Sequence, residues 1–79
     1  MNKHRRRILT KVIGSLEEIK STVEGVKDDE EMSYENLPEG LQSSEKGDSM
    51  MENVDYLNDA VGNIDEAIEN INNAIENGT

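Results

Sequence analysis

Ala60-Val-Gly-Asn-Ile-Asp-Glu runs directly into Ala67-Ile-Glu-Asn-Ile-Asn-Asn and then Ala74-Ile, a repeat of seven that returns alanine to the same place each time. Around it, Met50, Val54, Leu57, Val61, Ile64, Ile68, Ile71 and Ile75 are spaced 4, 3, 4, 3, 4, 3 and 4. Upstream, Leu9, Val12, Leu16, Ile19, Val23 and Val26 are spaced 3, 4, 3, 4 and 3. Apolar residues recurring every 3.5 positions form one line along a helix, the line that a coiled coil buries against its neighbour. The alternation that a half-buried strand requires is absent. The chain therefore reads as all-α, with two long helices over about 5–36 and 44–77.

Leu37-Pro38-Glu39-Gly40-Leu41-Gln42-Ser43 separates the two lines. Proline disfavours helical geometry in the residue before it, so the first helix ends near Asn36. Gly40 supplies a permissive backbone for the turn over 37–43. The second helix starts at a Ser43 or Ser44 cap, or at Ser49, which forms a capping box with Glu52. The first helix begins between residues 3 and 7, after or within a basic arm over 1–7. Folded back as an antiparallel hairpin with facing numbers that sum to 87, the lines pair Val12 with Ile75, Leu16 with Ile71 and Ile19 with Ile68. Val23–Ile64, Val26–Val61 and Leu37–Met50 complete the seam, with Glu30 opposite Leu57 and Ser33 opposite Val54 as polar layers. One flank then sets Lys20 beside Asp65 and Tyr34 beside Met51; the other holds Ser15–Ala74, Thr22–Ala67 and Asp29–Ala60. That second flank is small and almost uncharged, and it is where another helix is expected to pack. Two helices alone leave each seam half open to water, so the hairpin is expected to oligomerise, as a dimer or higher, into a helical bundle. Gly14, Gly25 and Gly62 lie off the seam; they mark either close approaches or helices that are not optimised.

Composition narrows the chemistry. The 79 residues carry 18 acids and 8 Lys or Arg, a formal net charge of −10, with no cysteine and one histidine. Disulfide scaffolds, zinc-thiolate sites and cysteine nucleophiles are excluded, and His4 alone builds neither a triad nor a metal site. Phosphate-binding glycine loops, nucleophile elbows and EF-hand spacings are missing. Glu-x-x-His pairs of a di-metal bundle are also missing. The chain is not expected to be an enzyme or to carry a cofactor or metal; Asp28-Asp29-Glu30-Glu31 reads as a solvated acidic face. No apolar run approaches a membrane span, and Lys11 breaks the segment after Arg7 that a secretory signal would need whole. The terminal Asn77-Gly78-Thr79 matches a glycosylation sequon that has no meaning without secretion. The chain reads as soluble and intracellular.

The charge is unevenly spread. Residues 1–20 hold six bases and two acids, whereas residues 21–79 hold two bases and sixteen acids. Arginines at a helix N-terminus oppose its macrodipole, so Arg5, Arg6 and Arg7 ask for an explanation. They either meet the acidic end of the second helix at Glu69 and Glu76, or capture phosphate, or touch an anionic membrane surface, or form a fraying arm that touches nucleic acid. Stable DNA binding is not expected of so acidic a body. The tip gathers Tyr34, Asn36, Gln42, Ser43, Ser44 and Lys46, one aromatic face among donors and acceptors. Tyr34, Leu37 and Leu41 would otherwise simply cap the seam. If two hairpins pack end to end, the tip of one lies beside the arginines of the other, and both sets then line composite pockets. Tyr56, outside the seam, reads as interface.

The segment Tyr34-Glu-Asn-Leu-Pro-Glu-Gly-Leu-Gln-Ser-Ser-Glu-Lys-Gly, followed by an Ala- and acid-rich heptad helix, resembles a group of small helical proteins of phages and prophages of Firmicutes. The resemblance implies the cytoplasm of a bacterial host and an anti-defence role; it lends context rather than an activity. Three functions stay open. The first is an oligomer that sequesters a nucleotide-type signal, with Arg5, Arg6, Arg7 and Lys46 on phosphates and Tyr34 on a base. The second is an acidic face over 28–69 that binds a basic host protein as a nucleic-acid mimic. The third is a plain coiled-coil assembly protein. The first is preferred, because the arginines ask for an explanation that an acidic docking face does not supply.

Overall fold

A computed structural model describes residues 1–77. Its elements are α1 (Lys3–Glu35), α2 (Glu39–Gln42) and α3 (Glu45–Glu76). The long helices pack against each other along a body of 58 × 15 × 12 Å, as the facing heptad lines require.

α1 opens with Asn2 as its cap, the side-chain oxygen accepting from the Arg5 backbone N–H at 2.9 Å. The helix thus takes in the whole basic segment. Its end comes one residue before the expected boundary, where the Asn36 and Leu37 amides donate to Met32 and Tyr34 carbonyls at 3.0 and 3.1 Å. Pro38 then starts a single helical turn, α2, in which Leu41 and Gln42 donate back to the Pro38 carbonyl. The expected turn over 37–43 is therefore partly helical. Of the possible starts for the second helix, Ser44 is the cap: its Oγ accepts from the Gly47 amide at 3.4 Å and donates to the Leu41 carbonyl. Ser49 lies inside α3.

The register is fixed at two heights. Lys20 Nζ donates to Asp65 Oδ1 at 2.9 Å, on the flank where the sequence sets them. Asn53 Nδ2 donates to Glu30 Oε2 at 2.9 Å. The hydrogen bond to Asp65, reinforced by its charge, raises the pKa of Lys20 above the ordinary lysine value.

α3 turns its whole apolar line inward. Val54, 3% exposed, is the most buried apolar side chain, and the rest of the line is half-buried. α1 corrects the expected seam. Leu9, Leu16 and Val23 are half-buried as expected, but Val12, Ile19 and Val26 are exposed, at 37%, 51% and 54%. Their places are taken by Arg6, Ile13, Lys20, Lys27 and Tyr34, all half-buried. Three residues advance a helix by about 300°, so Lys20, Val23 and Val26 stand about 60° apart in that order around α1. The helix is thus rolled towards its Lys20 side. Lysine stems explain how this is tolerated: their methylenes cover apolar surface while the ammonium groups reach Asp65 and Asp28 at the rim. Leu41, expected to cap the seam, is also largely exposed, whereas Tyr34 and Leu37 are half-buried.

Candidate functional site

The roll of α1 opens a groove on the flank opposite Lys20. Its volume is about 370 Å³, and it is lined by Val26, Asp29, Glu30 and Ser33 of α1 and by Asn53, Tyr56 and Leu57 of α3. Seven-residue spacing carries the same face along the hairpin. On α1 it continues through Ile19 and Val12 to Arg5, with Ile8 alongside; on α3 it continues through Ala60, Ala67 and Ala74. The alanines are half-buried, and Ile8 and Tyr56 are exposed. One long face therefore presents Val12, Ile19 and Val26 beside the small alanine edge. The sequence points to this edge; the apolar line next to it has the same heptad spacing as a seam, so spacing does not single it out.

The arginines lie on the first turns of α1. Arg5 and Arg7 are exposed, and Arg6 is half-buried, with its Nε enclosed and without a hydrogen-bond partner among the described residues. Among the described residues Glu69 is not an ion-pair partner of the three. The tip group sits at the other end of the body, 58 Å long, so a single chain brings Tyr34 and Lys46 nowhere near the arginines. Gln42 is absorbed by the fold. Its Nε2 lies 3.2–3.4 Å from the carbonyl oxygens of Tyr34, Glu35 and Leu37, acceptors at the end of α1 and just past it. Asn36 closes α1 and Ser43 closes α2, both exposed, as is Lys46 in the first turn of α3.

The fold sorts the charge more sharply than the chain order does. The tip half, residues 21–62, carries two bases and twelve acids, which is the entire −10. The open half, residues 1–20 with 63–77, carries six of each, the bases all on α1. Within the acidic run, Asp28 pairs with Lys27 at 3.5 Å and Glu30 accepts from Asn53.

Gly47 is a residue whose role the sequence did not disclose. It is buried where α3 starts against α2. By contrast, the space around Gly14, Gly25 and Gly62 is open, and none of the described residues approaches them.

Among the described residues no helix is long and apolar enough to cross a membrane. No family model, curated protein or solved structure matches the chain.

Proposed function

We propose that this chain is a non-enzymatic binding protein that works as an oligomer of hairpins and sequesters a small phosphate-bearing molecule of the nucleotide type. The observation that carries the reading is the arginine cluster. Three guanidinium groups stand on one stretch of helix against the local macrodipole, and two of them, on Arg5 and Arg7, are exposed. A guanidinium fork matches phosphate oxygens two at a time through charge-assisted bonds. The phage-like turn gives the capture its setting: withdrawal of a nucleotide-type defence signal from the host cytoplasm.

Calorimetric titration with inorganic phosphate and a panel of nucleotides tests it. The expected result is saturable binding of at least one nucleotide, weakened on the order of tenfold or more by Arg6→Ala with Arg7→Ala, since each charge-assisted bond contributes about 1.5–3 kcal/mol. Binding unchanged by that double substitution sinks the reading. A second reading rests on the −10 held by the tip half: an acidic surface that docks on a basic protein. It gains if replacing Asp28, Asp29, Glu30 and Glu31 by their amides abolishes activity that the arginine substitutions leave intact.

A further inference from the structure

The exposed apolar face has a symmetry of its own. Val12, Ile19 and Val26 are centred on Ile19, and Ala60, Ala67 and Ala74 are centred on Ala67. The Lys20–Asp65 bond places Ile19 level with residue 66, next to Ala67, so the two centres fall at one height on the hairpin. We propose that this face takes a second copy of the chain, turned end for end about a two-fold axis that crosses both helices at Ile19 and Ala67. The proposal rests on the oligomer in the functional reading above and is independent of the ligand.

An axis of that direction stacks α1 on α1 and α3 on α3, each pair antiparallel. Ile19 then meets the partner's Ile19, Val12 meets the partner's Val26, and Ala60 meets the partner's Ala74. Apolar meets apolar on α1, where the exposed area is large. Small meets small on α3, which lets two backbones come close. At the ends of the face, Arg5 comes opposite the partner's Ser33, one helical turn from the partner's Asp29. The groove at Val26 and Tyr56 receives the Ile8 end of the other copy. This gives Arg5 a place in the interface and leaves Arg6 and Arg7 to a ligand.

Two quantities favour this arrangement. A face of 58 by 15 Å is on the order of 900 Å², about what each partner contributes to a stable interface of standard size. Charge sets the direction. The other two-fold packing, tips together with α1 on α3, faces two halves of −10 at helix separations of about 8–10 Å, no more than about one Debye length. End for end, each acidic half lies against a half whose six bases balance its six acids.

The absence of cysteine makes the test clean. Ile19→Cys, Val12→Cys, Val26→Cys and Ala67→Cys are made singly, oxidised and run on denaturing, non-reducing gels, with sedimentation of the unmodified chain alongside. Ile19→Cys is expected to link to itself in most chains, because the axis brings equivalent Cα atoms within disulfide reach. Val12→Cys is expected to link when mixed with Val26→Cys and not alone. Links between Ile19→Cys and Ala67→Cys, without self-linking of Ile19→Cys, show the tips-together packing and overturn the proposal. A sedimenting dimer without any of these links places the interface elsewhere and overturns it while the oligomer reading stands. A monomer overturns both.

Discussion

Replacing Gly47 by alanine is expected to lower the melting temperature by on the order of 10 °C, a cost of about 2 kcal/mol in a chain of this size. An added Cβ would fall 2.6 Å from the Gln42 carbonyl carbon and 2.8 Å from the Leu41 carbonyl oxygen, and closer still to the Gln42 oxygen. These atoms belong to the backbone of α2, which cannot swing aside as a long side chain does. Relief requires α2 to lift from the start of α3. That movement draws on the same carbonyl of Leu41 that Ser44 holds, and on the Gln42 side chain that closes α1. Gly25→Ala is the control, since its new methyl group meets nothing and alanine favours the helix by about 1 kcal/mol. Thermal melts followed by far-ultraviolet circular dichroism separate the two. If Gly47→Ala melts with the wild type, the close packing at the tip is wrong.

Val54→Asp is expected to have the largest effect of any single change, with most of the helical signal lost at room temperature. Val54 is 3% exposed, so a carboxylate there is desolvated, and the apolar contacts of valine go with it. Loss of the side chain costs about 1.5–3 kcal/mol, and an uncompensated buried charge several more. The total rivals the roughly 4–12 kcal/mol that a domain of about 80 residues commands. Val26→Asp gives the contrast that bears on mechanism. Val26 is 54% exposed in the hairpin, so the charge reaches water and the helices persist, but the face meant for a second copy is spoiled. A helical Val54→Asp chain would contradict the seam.

α3 was legible in the sequence because each place on its apolar line is filled and each is covered in the hairpin. Its register against α1 was legible too, since Lys20 and Asp65 form the single flank pair in which opposite charges meet. The roll of α1 was not. Val12, Ile19 and Val26 obey the same spacing as Leu9, Leu16 and Val23, and a spacing of 3.5 says that a line is covered without saying by which helix. Lys20 and Lys27 are polar by residue type, yet their stems do the work of apolar residues along the seam. At the tip, Pro38 announced the end of α1. Gln42 and Gly47 could not be read, because what they satisfy are carbonyls and contacts brought together only by the turn of α2.

The candidate site fared likewise. The arginine cluster and the small alanine edge were visible as departures from a plain hairpin, one in charge and one in size. What the fold adds is their arrangement: arginines and tip ring at opposite ends of one chain, and the net charge confined to the tip half. Within one chain those features stay separate. A second copy turned end for end brings the basic start of α1 near the acidic tip half of its partner, and a single set of contacts then explains the exposed valines, the alanines and Arg5.

The most direct test of that account is the native mass of the purified chain at micromolar concentration. The account predicts twice the 8.8 kDa of one chain, or an even multiple of it, falling to 8.8 kDa when Ile19 is changed to Asp. A mass of 8.8 kDa for the unmodified chain, with full helicity, would contradict it.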